Sequence, residues 1–209
     1  MPIYDRNLGR KRILSFIPFY AFVGSQVTGS STVLDGLGTG APVFSEISSF
    51  GYAGINMEQG DMIACIDWDT LQKADLTEEI GVRVRWTTDA TPASGDDVTW
   101  VALYNQADQN VAFVEPATAL DTVIVNHEPG HTTPLRPQRT ARGIINANTF
   151  DEDAREGQLS WRIEADVVGS YSATEMHFLA LEIDYLPQYL AYPNDVENIH
   201  TKRTDSENA

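Results

Sequence analysis

A histidine-containing segment is the first place in this sequence where chemistry could reside. Residues His127-Glu128-Pro129-Gly130-His131 match the H-E-x-x-H pattern, in which two histidines bind zinc and the glutamate acts as a base. That chemistry needs a helix, because a helix puts both histidines on one face. Proline and glycine inside the motif prevent a regular helix. We therefore interpret the segment as an exposed polar loop and assign no metal ligand to it.

Two carboxylates on a predicted strand, Glu182 and Asp184, form a second candidate site. In β-sandwich glycosidases with an E-I-D-x-x-E box, strand-borne carboxylates about 5 Å apart serve as nucleophile and proton donor. The segment Glu182-Ile183-Asp184 begins such a box, but Pro187 occupies the position of its final acid. With that acid missing, we predict that Glu182 and Asp184 form the solvated face of a strand and that the chain has no catalytic residue.

No cofactor or metal site is predicted elsewhere. Residues 36–41 fit the G-x-G-x-x-A pattern, but Pro42 and strand-like residues follow where a dinucleotide site needs a long helix. The acidic groups at Asp67 with Asp69 and at Asp151–Asp153 offer oxygen ligands, yet neither has the spacing of a calcium-binding loop.

The charge balance excludes one class of partner. The chain has 30 acidic and 14 basic residues, a net charge of −16. Residues 1–12 carry four bases against Asp5, a net charge of +3, so the remaining residues carry −19. A body this acidic repels phosphate backbones, so we expect no nucleic-acid binding by the main domain. No apolar run reaches the ~18–20 residues of a membrane helix, so we expect no membrane partner.

Two long alternating runs near the C-terminus predict the strands that organise the domain. In Gln158–Val167, apolar and polar residues alternate with the period of a half-buried strand. In the second run, which ends at Leu186, Glu182 and Asp184 lie opposite the apolar residues. The break at Gly169–Thr174 suggests an antiparallel hairpin, with one face on a core and one toward water. The apolar faces comprise Leu159, Trp161, Ile163, Ala165 and Val167 in the first run and Leu179, Leu181, Ile183 and Tyr185 in the second.

The rest of the chain predicts further strands and little helix. Ile80–Thr87 and Val98–Asn105 are strongly strand-like, and the latter is apolar on both faces. Asp69, followed by Gln72 three residues later, resembles a capping box and predicts a short helix over Thr70–Glu78. About eight to ten strands with one or two short helical turns favour an all-β fold, an antiparallel β-sandwich that is jelly-roll-like.

Three segments divide the chain: a basic N-terminal arm at 1–12, the β-sandwich domain at 13–187, and a C-terminal extension at 188–209. Residues 13–23 are apolar on both faces of a would-be strand. We therefore expect this strand to be buried between layers or against another subunit.

Two pairs of strands carry a resemblance to a known class of proteins. The stretch VRVRWTTDATPASGDDVTWVALYN joins two strands by an exposed turn, and LSWRIEADV and HFLALEIDYLP form the closing pair. In these stretches, within Ile80–Asn105 and Leu159–Pro187, the chain resembles tailed-phage virion structural proteins of the jelly-roll type that decorate, or cement, the capsid shell. The resemblance implies a non-enzymatic homo-oligomer on the capsid surface of a virion, made in the host cytoplasm.

The basic arm has a partner in this interpretation. Its charges, from Arg6, Arg10, Lys11 and Arg12, contrast with the acidic body. We expect the arm to contact an acidic neighbouring capsid protein of the same particle.

Other functions remain as alternatives. A single jelly-roll major capsid subunit is closely related to the first interpretation. A carbohydrate- or receptor-binding β-sandwich would display aromatics such as Trp68, Trp86 or Tyr104 for stacking on sugars, but their in-phase positions on strands favour burial in a core. A sandwich hydrolase would need clustered acids in a cleft. We expect a structural protein without enzymatic activity.

Overall fold

The computed structural model describes residues 11–25, 31–32, 43–47, 52–89, 97–107, 118–119, 123–126, 136–150, 152–167 and 176–188. These described residues form fourteen strands, one α-helical turn and two 3₁₀ turns. No helix among them is long and apolar enough to span a membrane.

The strands form two antiparallel sheets of seven strands each. Sheet A contains β1 (Ile13–Pro18), β4 (Val43–Glu46), β5 (Ala53–Asn56), β7 (Ile80–Thr88), β11 (Gln138–Arg139), β12 (Gly143–Ile145) and β14 (Met176–Tyr185). Sheet B contains β2 (Val23–Ser25), β3 (Ser31–Thr32), β6 (Met62–Asp67), β8 (Asp97–Ala107), β9 (Thr118–Ala119), β10 (Val123–Asn126) and β13 (Gln158–Val167). The helical turns are α1 (Thr70–Lys73) and 3₁₀ turns at Phe19–Ala21 and Glu152–Glu156.

Eight of the strands follow a jelly-roll path. Their spatial order is β5–β14–β7–β12 in sheet A and β6–β13–β8–β10 in sheet B. The chain passes β5, β6, β7 and β8 in alternate sheets, and then β10, β12, β13 and β14 complete the two sets. This order is that of two nested Greek keys. The predicted all-β, jelly-roll-like sandwich is confirmed, and the strand count exceeds the predicted range because six further strands flank these eight.

The predicted hairpin between the two C-terminal runs is wrong. β13 pairs with β6 and β8 in sheet B, whereas β14 pairs with β7, β1 and β5 in sheet A. Period-2 alternation shows that each strand has one buried face, but it does not identify the pairing partner. In a sandwich the apolar faces of consecutive strands can meet across the core instead of pairing edge to edge.

The core lies between the inner faces of the two sheets. Leu159, Trp161, Ile163 and Ala165 of β13 are fully buried, as their alternation predicts. Aromatic rings bridge the sheets, because Trp100 of β8 contacts Trp86 of β7 and Phe178 of β14, in each case with ring centroids 6.2 Å apart. The burial of Trp86 and Tyr104 confirms the prediction that these aromatics serve the core.

A bulge in β14 changes which side chains face inward. The register with β7 shifts between Phe178 and Ala180. Phe178 and Leu181 are therefore both fully buried, although they are three residues apart. Leu179, which the sequence pattern places with Leu181, lies at the shift and is only half-buried.

The predicted helix after β6 is shorter than expected, and its capping box is wrong. α1 has four residues, and the backbone N–H of Thr70 donates to the Asp67 carboxylate at 3.1 Å, not to Asp69. Asp69 instead forms an ion pair with Lys73 at 2.5 Å. Asp67 also accepts from the Trp161 indole N–H at 3.3 Å and so ties the helical turn to β13.

Candidate interaction surface on sheet A

The outer face of sheet A brings opposite charges into register on its two longest strands. Glu182 of β14 lies opposite Arg83 of β7, and Asp184 lies opposite Gly81. Arg85, next on the same face of β7, lies opposite Ala180. Because the partners are adjacent strands of one sheet, their side chains meet above it.

Glu182 is fully buried although it points away from the core. Three arginines cover it. Arg85 donates from Nε to Oε2 at 2.5 Å, while Arg83 and Arg139 each approach Oε1 at 3.2 Å. A buried carboxylate is tolerable only when paired and hydrogen-bonded, and here the guanidinium groups satisfy both oxygens.

Asp184 is held by a second set of arginines. Arg142 donates from Nε to Oδ2 and from Nη2 to Oδ1, both at 2.9 Å, in a bidentate pair. Arg12 donates to Oδ1 at 2.5 Å and Arg83 to Oδ2 at 2.9 Å. Burial alone would raise the pKa of Asp184, but the ion pairs with Arg142 and Arg12 outweigh it and lower the pKa to about 2. Asp184 therefore stays ionised throughout the physiological range.

Gly81 provides the space in which Arg142 reaches Asp184. A Cβ atom at position 81 would lie 2.1 Å from Arg142 Nε and 2.2 Å from Asp184 Oδ2. Any side chain at this position would displace the ion pair. Arg142 continues to Glu79, whose carboxylate accepts from Nη1 at 2.5 Å. We call the five arginines and three carboxylates the arginine cluster: Arg12, Arg83, Arg85, Arg139, Arg142, Glu79, Glu182 and Asp184.

The arginine cluster corrects the prediction that Glu182 and Asp184 form a solvated face. Both carboxylates are buried and their oxygens are occupied by guanidinium groups. A glycosidase would need one carboxyl free to attack and another free to donate a proton. In the described part of the chain these two acids instead hold strands and loops together.

An exposed apolar strand borders the cluster. β1 pairs with β14 so that Leu14 lies opposite Asp184 and Phe16 opposite Glu182. Leu14 is 47% exposed and Phe16 is 50% exposed, so this strand is not buried between layers as one expectation had it. The Arg85 guanidinium carbon lies 5.8 Å from the centre of the Phe16 ring, a cation–π contact. Apolar and cationic side chains thus form one continuous surface.

Part of the predicted basic arm belongs to this surface. Arg12 binds within its own chain, where its Nη2 donates to the backbone oxygens of Glu79 at 2.7 Å and of Asp184 at 3.0 Å. Lys11 is exposed. Arg6 and Arg10 lie outside the described residues, and contact of the arm with another capsid protein stays a prediction.

A second exposed aromatic site lies where β6 ends, on the other sheet. Ile63 and Cys65 point into the core, so Ile66 faces outward and Trp68 follows in the same phase. Trp68 is 62% exposed, which makes its predicted burial wrong. Asp69 beside it is also exposed, and its ion pair with Lys73 lies on the surface.

Cys65 and His177 have reactive side-chain types, but both are buried in the described structure. Cys65 is buried and its thiol pKa is raised by burial. His177 is buried 3.6 Å from Asp89, and burial lowers its pKa while Asp89 opposes that shift. Among the described residues, no group of three or more histidine, cysteine or acidic side chains could hold a metal ion. Two further candidates, the 36–41 loop and the 127–131 motif, lie outside the described residues, as does Asp151 of the acidic group at 151–153.

Sequence reasoning missed three members of the cluster, Glu79, Arg139 and Arg142. A signal existed for the other acids and bases, because Arg83 and Arg85 alternate outward on one long strand and Glu182 and Asp184 on another. Opposite charges of equal spacing on two long strands favour a cross-strand ladder. Arg139 lies in the two-residue strand β11 and Arg142 directly precedes β12, in a proline-rich segment where no periodicity marks them.

Comparisons with known proteins return similarity in fold only. The chain matches no protein-family model and no curated protein sequence. Among solved structures, the CBM36-1 domain of a multidomain xylanase from the hindgut metagenome of Trinervitermes trinervoides is 7% identical, over 82% of this chain and 96% of that one, with a TM-score of 0.40. The xylan-binding module CBM15 is 12% identical over 84% and 97%, with a TM-score of 0.41. The Cry4Aa toxin from Bacillus thuringiensis is 9% identical over 66% and 19%, with a TM-score of 0.32.

Proposed function

We propose that this chain is a non-enzymatic structural protein of a virion, which binds the capsid shell as an oligomeric jelly-roll decoration protein. One observation carries the proposal: an exposed apolar strand, with Leu14 and Phe16 outward, runs beside a concentration of arginines on an otherwise acidic protein. Exposed apolar side chains next to arginine are the composition of protein–protein contact surfaces.

The charge distribution adds to this argument. The arginine cluster has five bases and three acids, a net charge of +2. Since the whole chain carries −16, the residues outside the cluster carry −18. The pairing with Glu182 and Asp184 accounts for the arginines within the sheet, but not for their position beside exposed leucine and phenylalanine. A protein that docks on acidic neighbours gains both affinity and orientation from the arrangement.

The direct test is the composition of purified particles. The protein should be present in them at a copy number comparable with that of a shell protein, and recombinant protein should bind again to particles from which it has been stripped. Absence from the particles would overturn the proposal.

The contribution of the arm is tested by Arg10→Glu together with Lys11→Glu. Arg12 must be kept, because an acid there would face Asp184 at the hydrogen-bonding distance that Arg12 now occupies. We expect the double variant to fold normally and to lose particle binding. Undiminished occupancy would exclude the arm as a contact.

A second candidate function, glycan binding, is favoured by Trp68 alone. An exposed indole is a flat surface on which a sugar ring can stack. A glycan array should then show selective binding that Trp68→Ala abolishes. An array on which no glycan is bound selectively would exclude glycan binding and would leave a protein contact as the role of Trp68.

A further inference from the structure

We propose that copies of this chain associate head to tail: the arginine surface of one copy receives the tryptophan turn of the next. The arginine surface consists of Leu14, Phe16, Arg85 and Arg139 on the outer face of sheet A. The tryptophan turn consists of Trp68 and Asp69 at the junction of β6 and α1, on the side of sheet B. The inference rests on the proposed self-associating role and names the contact that would serve it.

The chemistry of the two surfaces is complementary. The arginine surface offers exposed apolar side chains bordered by cations, and Arg139 has 45% of its side chain exposed. The tryptophan turn offers an indole that is 62% exposed, next to Asp69, whose carboxylate is exposed and pairs with Lys73. Between residues 67 and 78 the sequence has four acids and one base, Lys73. Tryptophan and arginine are the residue types that dominate binding energy at interfaces.

A symmetric contact of the arginine surface with itself is disfavoured. Two-fold packing would place the excess cations of one copy against those of the other. Like charges brought together at an interface cost several kcal/mol, which is on the order of the free energy that burying a small apolar patch provides. An acidic surface on a second copy removes this repulsion. The rest of the chain, which carries −18, supplies such a surface.

The positions of the two surfaces allow one molecule to use both at once. Leu14 and Phe16 lie on the outer face of sheet A, opposite Asp184 and Glu182. Trp68 continues β6, which is paired within sheet B. Because the surfaces differ and lie on different sheets, the contact is heterologous, and repetition of it gives a ring or an extended array. Such assemblies suit a protein that covers a shell.

The test uses one variant for each surface. Phe16→Glu places a carboxylate beside Arg85, where it can pair with that guanidinium and so keep the fold. The surface loses its apolar centre, and the excess charge of the arginine cluster falls from +2 to +1. Trp68→Lys removes the indole and places a cation in the turn, so that the net charge of residues 67–78 falls from −3 to −2. Tyr52 directly precedes β5 and is exposed, and it belongs to neither surface. Tyr52→Glu and Tyr52→Lys are therefore the matched controls for the two charge changes.

Sedimentation velocity over a range of concentrations gives the result. The wild-type chain and both Tyr52 controls should form species larger than dimers. Each surface variant alone should be monomeric, with association weakened more than about tenfold. An equimolar mixture of Phe16→Glu and Trp68→Lys should form dimers and nothing larger, because each variant keeps the surface that the other has lost. Circular dichroism establishes that each variant is folded, and Leu14→Glu replaces Phe16→Glu if the latter is not.

The outcomes separate this contact from the proposed function. Single variants that still assemble like the wild type overturn the head-to-tail contact and leave self-association intact. A mixture that stays monomeric also overturns it, since a symmetric interface or a different partner surface would then be in use. A wild-type chain that is monomeric at every concentration overturns both the contact and the proposed self-association.

Discussion

Gly81 is the residue on which the geometry of the arginine cluster depends. Arg142 passes over it to Asp184, and a Cβ atom there would overlap both partners. We predict that Gly81→Ala lowers the free energy of unfolding by about 2–4 kcal/mol, since it combines overpacking with the loss of a half-buried ion pair. Urea denaturation measures this change. In an Arg142→Ala background the penalty should shrink, and an equal penalty in both backgrounds would contradict the mechanism.

Asp61 makes stability depend on pH in the opposite sense to most acids. Burial raises the pKa of Asp61 from 3.8 to about 6, although the backbone N–H of Glu58 donates to it at 2.6 Å and opposes the shift. As the pH rises, Asp61 therefore loses its proton at a lower pH in the unfolded state than in the folded state. The stability that this proton contributes is fully present below about pH 4 and is lost as the pH rises to about 6.

The variant Asp61→Asn tests this linkage. An amide oxygen can still accept from Glu58, but no charge is buried. We expect the variant to be more stable than the wild type at pH 7, by up to about 3 kcal/mol, and to lose that advantage near pH 4. Denaturant midpoints of both proteins at the two pH values give the comparison. A difference that does not vary with pH would show that Asp61 does not titrate in this range.

Strand β1 is attached to the sandwich by Arg12, the residue directly before it. Arg12 donates to the side chain and backbone of Asp184 and to the backbone of Glu79. We predict that Arg12→Gln speeds amide hydrogen exchange throughout β1 by about tenfold or more, because local opening loses a charged anchor worth about 1–2 kcal/mol. Lys11→Gln is the control. Exchange in β7 and β13 should not change, since Arg83 and Arg142 still neutralise Asp184.

The elements also show how far sequence reasoning reaches. Strand positions follow from alternation and turn residues, as in Ile80–Thr87, which the structure extends by one residue. The pairing of strands does not follow from alternation. β13 and β14 lie in different sheets, where they pair with β8 and β7, and their apolar faces both pack into the core. Solvation of the outer face was also misjudged: Glu182 is polar and points outward, yet arginines brought from β7 and β11 bury it. Only tertiary contacts over 40 or more residues decide such cases, and one sequence does not contain them directly.

For the whole molecule, the excess of acid predicts a response to salt. Outside the arginine cluster the chain carries −18, and repulsion among these charges destabilises the compact state at low ionic strength. Raising NaCl from about 10 mM to about 300 mM shortens the screening length and should raise Tm by about 2–5 °C. Differential scanning calorimetry measures it. A falling Tm would mean that screening of the cluster's attractive pairs outweighs relief of the repulsion.

The central place of β14 in sheet A has a consequence for the timing of assembly. β14 is paired with β7 along one edge and with β1 and β5 along the other, so these earlier strands have no common neighbour until synthesis has passed Tyr185. Non-local pairing of this kind is slow and comes late in folding. Glu182 and Asp184, which fix the arginines in place, arrive on the same strand. A nascent chain therefore cannot complete its arginine surface until β14 has emerged from the ribosome.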